Sequence, residues 1–179
     1  MTMLVRDADP GRDAAACARI YAPYVLDSVA SFEADPPSPD VMAGRIAASH
    51  AWVVAEQDGI ALGYAYGSEH RERAAYRWAA DVAIYVDAAH HRAGVGRALY
   101  TRLLVRLRDA GLWTACAGIS LPNDASEALH RALGFSEVGT YRRIGWKAGA
   151  WHDVRWFQVD LRPGDRSAPR DPARPPRLK

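Results

Sequence analysis

In the stretch His91-Arg92-Ala93-Gly94-Val95-Gly96, two glycines sit between an apolar run, Val82 to Val86, and a helical run from Arg97. Glycine lets a chain turn tightly and come close to a ligand. A strand, a glycine turn and a helix start in that order aim free backbone N–H groups and the positive end of a helix dipole at one point. That suits an anion, a pyrophosphate above all, with Arg92 adding a side chain that pairs with phosphate oxygens. The competing explanation is a plain helix start with tolerated glycines. No Lys-Ser/Thr follows the second glycine, which excludes a nucleoside-triphosphate P-loop, and no third glycine completes a dinucleotide fingerprint.

Asp81 is a lone carboxylate in an otherwise apolar strand, where charge is costly unless it has a task or a partner. It reads as a general base, or as a strand-end acid paired with Arg77 or another cation. Ser126 and His130 lie four apart on one helix face, Asn123 precedes that helix, and Leu129 and Leu133 take another face. A polar face beside an apolar one suggests a site lining, although a single helical histidine is more often a satisfied or surface residue.

The elements that must position these groups follow from periodicity and turn signals. Met3 to Arg6 reads as a short strand, Asp13 to Leu26 as an amphipathic helix, and Ser38 to Ser49 as a weaker one. Ala51 to Gln57 and Ile60 to Tyr66 are apolar strands joined by Asp58-Gly59, a strong hairpin signal. Residues 69–73 form a charged loop before a long strand, Tyr76 to Asp87. The helix Arg97 to Ala110 ends at Gly111, and Trp113 to Ser120 is a strand. The helix Asp124 to Leu133 starts with a capping-box-like Asp124/Glu127 pair, before a terminal hairpin, Val138 to Gly145 and Trp151 to Leu161. The fold class is therefore α/β (α+β), with one mixed sheet flanked by helices.

The 179 residues suit one domain over 1–161. Residues 162–179 form a basic, proline-rich tail with six basic and two acidic residues, which leaves 17 basic and 19 acidic residues in the slightly acidic body. Such a tail has too little apolar surface to offset its ordering entropy, and a solvated end is favoured over nucleic-acid contact. No apolar run approaches the ~20 residues of a membrane span, and no signal peptide is evident. Cys17 and Cys116 make neither a disulfide framework nor a metal spacing, and adjacent His90 and His91 are poorly placed to share an ion, so a metal-free protein of the reducing cytoplasm is expected. Trp146, Trp151 and Trp156 read as packing residues.

The order of elements around the glycine turn resembles the GCN5-related N-acetyltransferase superfamily, whose turn reads Gln/Arg-x-x-Gly-x-Gly/Ala. Gly94 and Gly96 match and His91 departs. Further matches run in order from residue 3 to 161: Ala30-Ser31-Phe32-Glu33, Gly63-Tyr64-Ala65-Tyr66, Ala75-Tyr76-Arg77-Trp78, Ile84-Tyr85-Val86, Leu121-Pro122-Asn123-Asp124, Leu129-His130, Leu133-Gly134-Phe135 and Trp151-His152-Asp153-Val154. Together they look like phosphinothricin N-acetyltransferase-type sequences.

The resemblance implies an acetyl-CoA-dependent N-acetyltransferase, a homodimer, acting on the amino group of a small amino acid or analogue. Phosphinothricin and methionine sulfoximine or sulfone are the examples. It implies pyrophosphate binding by His91, Arg92, Ala93, Gly94, Val95 and Gly96. Backbone groups of Ile84, Tyr85 and Val86 would pair with the pantetheine arm, and Asn123 and Ser126 would contact coenzyme A. It places Asp81 where the type usually has Glu, and His130 near the acetyl group. Phe32, Glu33, Arg71, Arg73 and Tyr76 fall at the acceptor site, although Glu69 to Arg73 could equally be a solvated charged loop. Other acceptors (polyamine, aminoglycoside, protein N-terminus) and a catalytically silent acyl-CoA-binding module are the rival readings. Neither cysteine has a nucleophile's motif setting, so direct transfer in a ternary complex is expected.

Overall fold

The computed structural model describes residues 3–172. The strands are β1 (Leu4–Asp7), β2 (Ala51–Gln57), β3 (Ile60–Glu69), β4 (Ala79–Val86), β5 (Thr114–Ser120), β6 (Ser136–Lys147) and β7 (Ala150–Asp160). The helices are α1 (Pro10–Leu26), α2 (Pro39–Ala48), α3 (Val95–Asp109) and α4 (Asp124–Ala132). One seven-stranded sheet runs β1-β2-β3-β4-β5-β7-β6, antiparallel throughout except for β4 against β5.

The alternation of β2 divides the core between the two faces of the sheet. Val53 and Ala55 pack with Leu99, Leu103 and Leu107 of α3. Trp52 and Val54 pack with Cys17, Ile20 and Val25 of α1 and with Met42 and Ile46 of α2. The two tightest hairpins turn at Asp58-Gly59 and Ala148-Gly149, where all four residues have positive φ, as a type I′ turn requires.

The parallel β4–β5 pairing covers only Ala79↔Thr114 to Asp81↔Cys116. Beyond Asp81 the strands part, while β5 stays paired to β7 as far as Ser120 and β4 stays paired to β3 as far as Val86. A wedge opens between them in the middle of the sheet.

Several element bounds differ from the sequence reading. The long strand expected from Tyr76 begins only at Ala79, after a 3-10 turn at Ala74–Tyr76. β3 runs three residues further, to Glu69. α3 begins at Val95, not Arg97. The first cap of α4 is Asn123, whose side chain accepts from the Ser126 N–H, whereas Glu127 pairs with Arg155 and Arg131 instead of closing a capping box.

The tail also differs from expectation where it is described. Asp171 pairs with Arg77 at 2.7 Å, the Trp78 indole N–H donates to the Arg170 carbonyl at 2.8 Å, and Pro172 is buried. Composition could not show that two side chains just ahead of β4 provide a dock. Arg174, Arg177 and Lys179 lie outside the described residues. Among the described residues, no helix is long and apolar enough to cross a membrane.

Candidate active site

The wedge between β4 and β5 opens into a cavity of about 560 Å³. Its walls are Val82 to Val86, Ala117 to Ser120, the glycine turn, and the first turns of α3 and α4. Gly94 caps α3 in the left-handed conformation (φ 80°), with no side-chain hydrogen bond at the cap and open space where a Cβ would project. The first N–H groups of an α-helix have no intrahelical partner, so this turn presents bare donors to the cavity. An extended pantetheine chain suits the unpaired stretch of β4, and a pyrophosphate suits the helix start, so the residues present fit acetyl-CoA.

His91, exposed, ties the turn back to the end of β4. Its Nε2 lies 3.0 Å from the Val86 carbonyl and 3.1 Å from the Tyr24 hydroxyl, which itself donates to Val86 O at 2.6 Å. His91, Arg92, Gly94, Val95 and Gly96 line the cavity, and Ala93 does not. Ile84, Tyr85, Val86, Asn123 and Ser126 line it as well.

His130 reaches the same cavity but has both ring nitrogens occupied. Nδ1 lies 2.7 Å from the Ser126 carbonyl, which can only accept, so Nδ1 carries the proton. Nε2 therefore accepts from the Tyr100 hydroxyl at 3.0 Å. The side chain is 2% exposed, and burial pushes its pKa below the usual histidine value. It has no free lone pair for an amine proton, so the geometry gives it a structural place rather than the expected proton-transfer role.

A second cavity of about 550 Å³ shares Ala30, Val82, Tyr85, Gly118 and Ser120 with the first. Asp81, Tyr21, Phe32, Glu33, Tyr141, Ile144 and Trp156 complete much of its wall. This is where an acceptor can meet a thioester lying along β4.

The two carboxylates here are in opposite states. Glu33 is held at both oxygens by Arg45 (2.6 and 2.9 Å) and also by the Tyr21 hydroxyl (2.9 Å), and the Arg45 hydrogen bonds hold its pKa down. Among the described residues the Asp81 side chain makes one bond, from His70 Nδ1–H to Oδ1 at 2.6 Å. Burial raises its pKa above the usual aspartate value, against the opposing pull of His70 and Arg71. A half-buried carboxyl with raised basicity and one oxygen left over is the better proton acceptor. Its partner is thus His70, while Arg77 goes to the tail.

Of the loop residues expected at the acceptor site, Arg71 is near enough for its charge to act on Asp81. Arg71, Arg73 and Tyr76 are all exposed and line neither cavity. The Cys116 thiol, His70 and Asp81 bring polar atoms within 4.8 Å of one another. Burial pushes that thiol up to about 11, so it stays protonated beside a hydrogen-bonded His–Asp pair. Sequence reasoning missed His70, Tyr21, Tyr24, Ser120 and the pocket role of Trp156. For His70 no signal stood in the sequence: its place follows from the register Ser68↔Asp81, which puts residue 70 diagonal to Asp81 on the same face.

A split sheet with a glycine-capped helix at its opening defines the class, and residues 17–135 match the acetyltransferase (GNAT) family. The chain belongs to that family and is an acetyl-CoA-dependent N-acetyltransferase. Among its relatives, the phosphinothricin N-acetyltransferase of Streptomyces viridochromogenes is 38% identical over 166 residues, covering 91% of this chain and 89% of that protein. The L-methionine sulfoximine/L-methionine sulfone acetyltransferase of Salmonella typhimurium is 32% identical over 163 residues, covering 89% and 95%. A phosphinothricin acetyltransferase from Sinorhizobium meliloti, solved in complex with AcCoA, superposes with a TM-score of 0.89 at 36% identity and covers 96% of this chain and 95% of its own.

Proposed function

We propose that this enzyme acetylates the α-amino group of a small amino acid or analogue of the phosphinothricin and methionine sulfoximine or sulfone kind. The observation that carries the reading is Asp81, a half-buried carboxylate in the wall of a pocket that opens onto the acetyl-CoA cleft. The names of the relatives support the acceptor class. Arg71, exposed on the loop but near enough for its charge to act on Asp81, adds positive charge at the edge of the site for the acceptor's own carboxylate or oxygenated head. The same charge disfavours a polyamine or aminoglycoside.

In the proposed reaction the acceptor ammonium first gives a proton to Asp81, directly or through one water. The freed nitrogen lone pair attacks the thioester carbon, and backbone N–H groups of β4 stabilise the oxyanion. The C–S bond then breaks, and the thiolate takes up the proton that the attacking nitrogen, now positively charged, must lose to become the amide, and leaves as coenzyme A. Transfer is direct: Cys17 is fully buried with its thiol pushed up to about 12, and Cys116 is pushed up to about 11, so neither is a ready nucleophile. The two unpaired thiols suit a reducing cytoplasm. Arg92, Gly94, Val95 and Gly96 hold the pyrophosphate, with Asn123 and Ser126 lining the same cavity.

The test is thiol release from acetyl-CoA with phosphinothricin, methionine sulfoximine, methionine sulfone, spermidine, an aminoglycoside and a short peptide. Turnover confined to the amino acids supports the reading. Turnover of the polyamine or peptide alone, or binding of acetyl-CoA with no turnover, overturns it.

We also infer a homodimer built on the β6–β7 hairpin. β6 is an edge strand, and Val138, Tyr141, Ile144, Trp146 and Trp151 are exposed along the hairpin. Sedimentation of Trp146→Glu as a monomer beside a dimeric wild type supports this, and a monomeric wild type refutes it.

A further inference from the structure

The candidate base has a partner that the acetyltransferase reading does not require. His70 is the first residue after β3, and the register Ser68↔Asp81 puts it diagonally across from Asp81 on the same face. Its Nδ1 lies 2.6 Å from Asp81 Oδ1. A carboxylate only accepts, so Nδ1–H is the donor. The two side chains are 17% and 31% exposed, a setting in which a charge-assisted bond is screened far less than on the surface. Among the described residues, Oδ2 makes no hydrogen bond.

The imidazole is fixed in turn. The Tyr76 ring meets it edge-on with centroids 5.8 Å apart, and Trp156 meets it from β7 at 6.4 Å. Trp156 also forms part of the acceptor pocket wall, whereas His70 lines neither cavity. His70 therefore reaches the acceptor only through Asp81. The contrast with Glu33 is instructive: Arg45 takes both of its oxygens, which leaves it fixed and unavailable. His70 takes one oxygen of Asp81 and leaves the other.

We propose that His70 is a positioning residue for acetyl transfer: its Nδ1–H holds Asp81 Oδ1, selecting the carboxylate orientation that presents Oδ2 to the acceptor amine. This rests on Asp81 being the base. A free aspartate on a strand samples several rotamers, and an interaction that selects one raises the fraction of productive encounters. The same bond favours the ionised carboxylate and opposes burial. The other groups acting on Asp81 are Arg71 from the loop, Tyr66 on β3 and the Cys116 thiol on β5, with Tyr76 against the imidazole.

The experiment is the pH profile of kcat/KM for an accepted amino acid at saturating acetyl-CoA, in the wild type, H70A, H70N, H70Q and D81N. The acid limb reports protonation of the base. Losing the His70 donor removes a pull that favours the carboxylate, so the limb of H70A moves to higher pH by about one unit. Its plateau falls about tenfold through lost orientation. Asn places an amide N–H near the position of Nδ1, so H70N recovers most of the limb shift and most of the plateau, lacking only the pull of an imidazole charge. Gln carries its amide one methylene further out, so H70Q resembles H70A and serves in its place if H70A folds poorly. Acetyl-CoA affinity and Tm, measured alongside, stay near wild type.

A limb and plateau in H70A and H70Q identical to wild type overturn the proposal. So does an H70N as impaired as H70A, because the donor alone would then not suffice. D81N separates the two levels. D81N at wild-type rates defeats the base assignment itself, whereas an inactive D81N beside an unaltered H70A defeats only the role of His70.

Discussion

The two cavities that meet at Val82, Tyr85, Gly118 and Ser120 are built from different materials. The cofactor cleft is largely backbone: a strand edge freed where β4 leaves β5, and a helix start capped by a left-handed glycine. The acceptor pocket is made of side chains from α1, the 30–33 segment, β4, β5 and the β6–β7 hairpin, and its electrostatics rest on side-chain hydrogen bonds, three to Glu33 and one to Asp81 among the described residues. A backbone site tolerates side-chain exchange, while a side-chain site changes specificity with one substitution. Each cavity should therefore fail separately when altered.

The largest effect is expected at Asp81. Asp81→Asn lowers kcat by about 10²–10⁴-fold, the range for losing a general base. Acetyl-CoA affinity, measured by titration calorimetry, stays unchanged. If the cofactor is lost as well, the two cavities are not independent.

Next comes Gly94→Val. Nothing crowds the Cβ position, so the penalty is the left-handed backbone itself, about 1–2 kcal/mol for a side chain there. Acetyl-CoA binding weakens about tenfold as the N–H groups tilt away, while KM for the acceptor holds.

Gly145→Ala acts on the other side. An added Cβ would strike the Phe32 ring, which lines the acceptor pocket and must swing away. Steady-state kinetics should show acceptor KM rising about fivefold, equivalent to about 1 kcal/mol, with acetyl-CoA KM unmoved. The smallest effect on rate belongs to His130→Ala. Removing a buried ring that accepts from Tyr100 costs about 2–3 kcal/mol and lowers Tm by about 4–12 °C. At a temperature where the variant is folded, kcat falls by less than about threefold. A loss of a hundredfold would restore His130 to catalysis.

Most of the cofactor side was legible because its signals are local. Gly94 and Gly96 after an apolar strand mark a turn that only certain backbones make, and the ordered matches placed that turn in the sheet. The acceptor side depends on contacts between distant residues. Glu33 read as an acceptor-wall acid, yet Arg45 on α2 occupies it. His130 read as a proton carrier, yet Tyr100, thirty residues earlier on α3, takes its second nitrogen. His70 sat within a charged loop and drew no notice, because β3 continues to Glu69 past the apolar run that ends at Tyr66. The docking of Arg170 and Asp171 was hidden for the same reason, since its partners lie more than ninety residues upstream.

The most direct test of the central claim is a crystal structure of the enzyme with coenzyme A and an accepted amino acid. The pyrophosphate should rest on the N–H groups at the start of α3, with the pantetheine arm along Ile84 to Val86. The amine nitrogen should lie within about 3.2 Å of the Asp81 carboxylate, or be joined to it by one water. An amine found closer to Glu33 or His130 than to Asp81 would contradict the account.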